Sequence, residues 1–551
     1  MILPEDWRPP EGITLEPNAL RAVREPTTNV VVTAGPGAGK TELLAQRADF
    51  LLATGACRYP QRILAISFKV DAAQNIRERV RKRCGEQLAA RFDSFTFHAF
   101  AKQIIDSYRV LLTGNDALDP DYTVDQSDQV PHRQITFNNL VPLAIDILQK
   151  SSSVRNAIRQ TYSHVFLDEF QDTTSNQYSL LKEVFIDSDV VLTAVGDVKQ
   201  RIMSWAGALD GIMQTFSSDF AAQRLTLYQN YRSEPVLRRM QNRMVQVMDP
   251  PAAIPVAEIA GPEGSANVMS FATSADEAVG IADQIKAWLN SGVPANEIAI
   301  LVRQQPYLVC ELLIGELNDR GIASRNEQLR QDLTAEPAVI VILNLIRVVA
   351  DDRQPAAYAQ LMRLVTRTGR TEEMALRSAR AVSRFLKAER ETFREGTASR
   401  SDSNAWKNVI VGFLRLLTKP VMCALSPEYQ HGKRLNQLIK QAFDVFRQEL
   451  DKDGDPIAAL TRLSKDEAVR ILTIHKSKGL EFEKVVVIGV ESEFFWAEID
   501  DCRAEFFVAI SRAKNELILT HAQRRTRPKN ARGKWEEQRH PMQEFLSYAA
   551  E

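Results

Sequence analysis

The run Asn29-Val-Val-Val-Thr-Ala-Gly-Pro-Gly-Ala-Gly-Lys-Thr41 constrains the fold of this 551-residue chain more than any other segment. A β-branched strand leads directly into a glycine-rich turn, and Glu42-Leu-Leu-Ala-Gln-Arg-Ala after it reads as a helix. Strand, glycine loop and helix in that order form an anion site, because loop N–H groups and the helix N-terminus converge on one place. The spacing is the variant A-x-x-G-x-G-K-T, with Ala34 where the general phosphate-loop pattern has its first glycine. Ala34, Gly35, Gly37, Gly39, Lys40, Thr41 and Glu42 are therefore the candidate nucleotide-binding residues of this segment, with Lys40 on the β- and γ-phosphates and Thr41 a ligand of Mg²⁺.

A second segment, Tyr162-Ser-His-Val-Phe-Leu-Asp-Glu-Phe-Gln-Asp172, is an apolar strand that ends in carboxylates. Alone, two acids after a strand would be a solvated strand end. Next to a phosphate loop they acquire roles: Asp168 holds Mg²⁺ and Glu169 polarises the attacking water, which points to ATP hydrolysis.

The chain exceeds the roughly 250 to 300 residues at which a single hydrophobic core stops growing, so several domains are expected. Hydrophobic residues are 44% and charged residues 25% of the sequence, near globular averages, and no apolar run approaches the roughly 18 residues of a membrane span. The N-terminus, MILPEDWRPPEG, lacks the basic and apolar stretches of a signal peptide, so a cytoplasmic protein with no membrane contact is expected. Five scattered cysteines contain no C-x-x-C pair, which excludes zinc-ribbon and iron–sulfur spacings and suggests reduced, mostly buried thiols. A net charge of −1 requires that any nucleic-acid site be a local groove rather than an overall basic surface.

At Asp168-Glu-Phe-Gln-Asp-Thr173 the sequence resembles the DEFQDT box of the UvrD/Rep-type superfamily 1 helicases. Six other segments match boxes of that family in the family's order. Ile63-Leu-Ala-Ile-Ser-Phe-Lys-Val-Asp-Ala-Ala73 resembles the box ending TFTNKAA, and Thr96-Phe-His-Ala-Phe100 resembles TFHxF. Val195-Gly-Asp-Val-Lys-Gln-Arg-Ile-Met-Ser-Trp-Ala-Gly-Ala208 is similar to GDDDQSIYxWRGA, and Asn230-Tyr-Arg-Ser233 matches NYRS. Thr473-Ile-His-Lys-Ser-Lys-Gly-Leu-Glu-Phe482 resembles THxAKGLEF, and Val508-Ala-Ile-Ser-Arg-Ala513 resembles VAxTRA.

The resemblance implies an α/β protein: two RecA-like phosphate-loop cores, each a parallel sheet flanked by helices and each carrying a mainly helical insertion. The first core is expected at 1–100 and 161–227 with an insertion at 101–160, and the second at 228–360 and 465–551 with an insertion at 361–464. It further implies that Gln200 senses the γ-phosphate, that Tyr231 stacks on adenine, and that Arg232 and Arg512 reach the γ-phosphate from the second core. Gly479 and Glu481 complete the nucleotide site, Glu481 on the ribose. Phe68, Phe97, His98, Trp205 and His475 occupy boxes that hold single-stranded DNA in similar helicases, with a core aromatic as the equal alternative for Phe68 and Phe97.

Departures from the family are specific. Ala19 stands where the adenine-reading glutamine would be, Met203 replaces a stacking Tyr, Ala206 replaces Arg, and Lys69-Val-Asp replaces Thr-Asn-Lys. Both insertions are short. The activity implied is ATP-driven, 3′ to 5′ translocation on single-stranded or tailed duplex DNA. The compact shape also resembles the helicase subunit of the Gabija anti-phage system, which implies a second reading: an ATP- and DNA-sensing subunit beside a partner nuclease. A basic run from 523 to 540, including Arg524, Arg525 and Arg539, is a candidate for phosphate or acidic-partner contact, or a solvated terminus.

Overall fold

The structure is a computed structural model that describes residues 2–10, 12–68, 70–120, 122–125, 129–202, 207–327, 333–334, 336–367, 372–426, 429, 434–463, 468–528, 531 and 535–550. Trp205, Met203, Ala206 and Lys69 lie outside them.

The alternation of β-branched runs with helical segments produces two six-stranded sheets. The first comprises β1 (Val30–Ala34), β2 (Arg62–Ser67), β3 (Phe92–Thr96), β6 (Tyr162–Leu167), β7 (Val191–Gly196) and β8 (Gln223–Leu227), in the order β3-β2-β6-β7-β1-β8. Between β3 and β6 lies a small pair, β4 (Thr123–Asp125) and β5 (Gln134–Thr136). The second sheet comprises β9 (Ser265–Thr273), β10 (Ile298–Val302), β11 (Ser324–Asn326), β12 (Val469–Thr473), β13 (Phe482–Val487) and β14 (Ala513–Arg524), in the order β11-β12-β10-β13-β14-β9. Every pairing in both sheets is parallel, so the C-terminal strand ends of each sheet share one edge.

Strands covered on both faces are apolar at nearly every position, and their side chains divide alternately between two cores. In the first sheet Val31, Leu64, Ile66, Val165 and Leu167 face one cluster, while Val30, Val32, Ile63, Ala65 and Phe166 face the other. The second sheet repeats this, with Leu301, Val485 and Leu517 on one side and Ile300, Val486 and Ile518 on the other. The helices α1 (Pro17–Arg24), α2 (Lys40–Ala53), α3 (Val70–Ala89) and α4 (Phe97–Tyr108) flank the first sheet. The segment between β3 and β6 contributes Ile104, Tyr122, Leu140 and Ile147 to the first cluster, and so packs on the sheet rather than apart from it.

A separate helical body has its own core, with Trp406 stacked on Phe393 at 4.5 Å and Phe413, Phe446 and Leu450 around them. The helices Pro337–Ala350 and Pro355–Arg367 belong to this body, which therefore begins before position 361. The run Ala338-Val-Ile-Val-Ile-Leu is apolar enough to serve a sheet or a helical core, and only its packing decides between them. No disulfide links the five cysteines; Cys57, Cys310 and Cys502 are buried. Among the described residues no helix is long and apolar enough to cross a membrane.

Of the basic run near the C-terminus, Lys529, Arg532 and Lys534 lie outside the described residues, and Arg525 and Arg539 are built into the second core. Arg525 is buried and ion-paired with Glu277 and Glu491, and Arg539 stacks on Phe494 and Trp535 at 4.7 and 4.6 Å. Arg524 pairs with Glu537 at 2.9 Å.

Candidate functional site

The phosphate loop leaves the C-terminal end of β1 and turns into α2. Gly37 and Gly39 have φ of +71° and +75°, a left-handed conformation that a Cβ would strain. At Gly37 space is restricted too: a Cβ would lie 2.0 Å from Asn230 Oδ1 and 2.7 Å from Arg232 Cβ. The Asn230–Arg232 segment thus lies directly over the loop, and the Tyr231 N–H donates to the Gly37 carbonyl at 2.9 Å. Lys40 is the first residue of α2, and its Nζ donates to the carbonyls of Gly35 (3.2 Å) and Ala34 (3.5 Å). Burial holds its ammonium below the ordinary lysine pKa, against the opposing pull of Glu169 and Asp197.

Two strands away, β6 delivers Asp168 and Glu169 to the same edge. Glu169 has a φ of +52°, an uncommon backbone for a non-glycine residue and one that clusters at functional sites. Gln171 fixes it: Nε2 donates to Glu169 Oε2 at 2.6 Å while Oε1 accepts from the Asp197 N–H at 2.9 Å. Burial and the neighbouring Glu169 push the Asp168 carboxyl up to about 7. Glu169 stays below the usual carboxylate range: burial works against it, but Lys478 and Lys40 outweigh that.

The second core closes over this edge. Arg512, 1% exposed, donates from Nη2 to Gln200 Oε1 at 2.6 Å, and Gln200 Nε2 in turn donates to Asp197 Oδ2 at 2.8 Å. Other donors of Arg512 bind the carbonyls of Val508 and Leu480, so the guanidinium is held at a fixed angle. Burial and then the adjacent Arg232 depress its pKa to about 9. Arg232 itself donates to Glu481 Oε2 (2.8 Å) and to the Ser511 carbonyl (2.9 Å). Lys478 crosses between the cores, donating to Asp172 Oδ2 at 2.6 Å and to the Gln200 carbonyl at 2.5 Å.

Two observations test the fit of a magnesium nucleotide. Beyond burial, Arg232 and Arg512 lower the pKa of Lys40 and Arg232 lowers that of Arg512, a strain that a bound polyanion relieves. A cavity of about 60 Å³ is bounded by Thr41, Asp168, Glu169, Asp172, Lys478 and Gly479. Thr41 and Asp168 at this cavity are the protein oxygens that would hold the cation, with phosphate supplying further ligands.

Other expected residues are distributed differently. Glu42 is ion-paired with Arg79 (3.3 Å) and Arg83 of α3 and accepts from Gln46, so its carboxylate faces α3. Tyr231 is 56% exposed, and Glu481 is engaged by Arg232. Phe68 lines the small cavity next to Asp168. Phe97 is 5% exposed within the first core, so as placed it offers no face to a base: Thr96 caps α4 and turns the ring inward. His98 packs edge-on against Phe137 at 6.1 Å, and burial lowers its pKa. His475 lies 3.7 Å from Glu505 at a cavity of about 540 Å³ on the far edge of the second sheet. Lys478 and Asp172 were not singled out from sequence, although both stand inside recognised boxes. Their meeting depends on the approach of two cores.

Segment 474–481 is instructive. It runs from the C-terminal end of β12 to the N-terminal end of β13, and because these strands lie in one parallel sheet it must traverse that sheet. His475 therefore stands at one edge, and Lys478 and Glu481 at the other, with Asp172, Gln200 and Arg232.

Comparison with known proteins agrees with this geometry. Residues 15–135 and 126–221 match the UvrD/REP helicase N-terminal domain, and 428–524 match the UvrD-like helicase C-terminal domain. DNA helicase II of Escherichia coli (strain K12) is 23% identical over an alignment covering 92% of this chain and 84% of that protein. ATP-dependent DNA helicase Rep of the same organism is 24% identical, covering 92% and 90% respectively. ATP-dependent DNA helicase PcrA of Leuconostoc citreum is 23% identical, covering 91% and 81%. With matching domains at both ends, two parallel-sheet cores and relatives aligned along nearly its whole length, the chain belongs to the UvrD/Rep-type helicase family.

Proposed function

We propose that the protein is an ATP-driven motor that moves 3′ to 5′ along single-stranded DNA in the cytoplasm, hydrolysing ATP in the cleft between its two cores. The observation that supports this most is the hydrogen bond from Arg512 of the second core to Gln200 of the first, close above the phosphate loop. A guanidinium from the far side of a cleft stabilises charge on the transferring phosphoryl group only when the cleft is shut, which couples domain motion to turnover.

In this reading Lys40 exchanges its loop carbonyls for phosphate oxygens and Tyr231 stacks on the base. Thr41 and Asp168 hold Mg²⁺, whose charge neutralises the phosphate oxygens when it is bound. Glu169, its carboxylate held ionised by Lys478 and Lys40, accepts a proton from the attacking water. Arg512 and Arg232 stabilise the transferred group, and Gln200 reports its loss to segment 195–208. The traversing segment 474–481 carries the change from the nucleotide edge to His475, so grip on the strand alternates with the state of the cleft.

The test uses the purified full chain, ATP and two duplexes, one with a 3′ and one with a 5′ single-stranded tail. The 3′-tailed duplex is expected to be unwound several times faster, with ATP hydrolysis stimulated by single-stranded DNA. Equal rates on both tails would refute the polarity. Hydrolysis indifferent to DNA would refute the motor. Unwinding that appears only beside a nuclease partner would favour a role as the sensing subunit of such a complex.

A further inference from the structure

The loop after β13 carries three consecutive aromatics, and their fates differ. Phe494 and Phe495 are 6% and 5% exposed in the second core, whereas Trp496 is turned outward at 68%. An isolated exposed aromatic needs no special explanation. What distinguishes Trp496 is its support. The Arg303 guanidinium lies 5.1 Å from the centre of its ring and 5.5 Å from that of Phe495. Arg303 leaves the C-terminal end of β10 and is nearly buried, fixed by Glu505 and by the Phe494 carbonyl. The indole is thus braced by a nearly buried cation, so little ordering is left to be done when a ligand stacks on it.

Both side chains line the cavity of about 540 Å³, together with Gln304, Gln305, His475 and Asp501. Its chemistry selects the occupant. Glutamine amides, an imidazole and a carboxylate offer donors and acceptors to the edge of a flat heterocycle. Asp501 repels a phosphate, and the charges of Arg303 and Glu505 compensate each other. A neutral, stackable base fits, with its sugar and phosphates passing outside. The cavity also adjoins Ile202, just before the segment that carries Trp205, and so lies between two boxes expected to line the strand's path.

We propose that Trp496, braced by Arg303, is the stacking platform that seats one base of single-stranded DNA on the second core. This rests on the motor reading above. It gives the second core a base contact of its own where the boxes of the first have lost several: Met203 and Ala206 replace a stacking and a basic residue, and Phe97 is buried.

The experiment measures binding of a labelled oligo(dT) to the full chain by fluorescence anisotropy at one fixed salt concentration. It compares the wild type with Trp496→Ala, Trp496→Leu and Trp496→Phe. Thermal unfolding of each variant serves as the fold control. Alanine and leucine are expected to weaken binding by roughly 5- to 150-fold, while phenylalanine, which keeps a π-face, stays within about threefold of wild type. Leucine binding as well as phenylalanine would mean that bulk and not stacking matters, and the proposal would fall. Alanine binding within about twofold of wild type would likewise overturn it while leaving the motor reading intact. A wild type that does not bind oligo(dT) at all would overturn both.

Discussion

Replacing Arg512 with alanine is expected to lower ATP turnover by about 10³- to 10⁵-fold, measured as phosphate release under saturating single-stranded DNA. The size follows from where the guanidinium sits. It is nearly inaccessible to water, its charge is poorly screened, and it points at Gln200 across the cleft from Lys40. A cation in such a place acts on charge that develops during the reaction without needing to reorganise. Truncation also removes donors from the carbonyls of Val508 and Leu480, at a cost to stability of about 1 to 3 kcal/mol. Arg512→Lys separates the two effects, because it keeps the charge but loses the planar fork. It is expected to fold and bind nucleotide yet turn over at least about 100-fold more slowly than wild type. Turnover above a tenth of wild type in the folded alanine variant would remove Arg512 from the reaction.

Glu169→Gln is expected to cost about 10² to 10⁴ in turnover while leaving nucleotide affinity nearly unchanged. Glutamine keeps the size of the side chain and an oxygen able to accept the hydrogen bond from Gln171, so the strained backbone at this position retains its brace. What is lost is the negative charge that, in the proposed mechanism, takes the proton from water. The readout pairs two assays: binding of a fluorescent ATP analogue, expected within a few-fold of wild type, and phosphate release, expected to collapse. Loss of both together would point to misfolding. Hydrolysis retained in a well-folded Glu169→Gln chain would require a different base.

What the sequence revealed, and what it hid, divides along a physical line. The phosphate loop was legible because its chemistry is local: Gly37, Gly39, Lys40 and Thr41 are neighbours, and strand, turn and helix follow one another without help from the rest of the chain. The acids at 168 and 169 were legible for the same reason. Properties that depend on distant partners were not. Glu42 borders the phosphate loop in sequence, yet Arg79 and Arg83 of α3 draw its carboxylate away. Phe97 stands in a box associated with DNA and reads equally as a core aromatic; the N-cap at Thr96 and the core beneath α4 decide for the core. The arginines after position 523 looked like a free basic run until Glu277 and Glu491, from elements far earlier in the chain, met Arg525. Lys478 was in plain view within its box, but its role as a strut emerges only where two separately folded sheets approach. The helix Pro337–Ala350 is the same lesson at the scale of an element, since an apolar run does not declare which core it will fill.

The most direct test of the account is to ask whether one triphosphate touches both cores. ATP bearing a photoreactive group on its γ-phosphate, bound to the full chain and irradiated, is expected to label peptides from both sides of the cleft: the loop around Lys40, and the segments around Lys478 or Arg512. Labelling confined to the first core, in protein saturated with the probe and single-stranded DNA, would contradict the shared cleft and with it the motor.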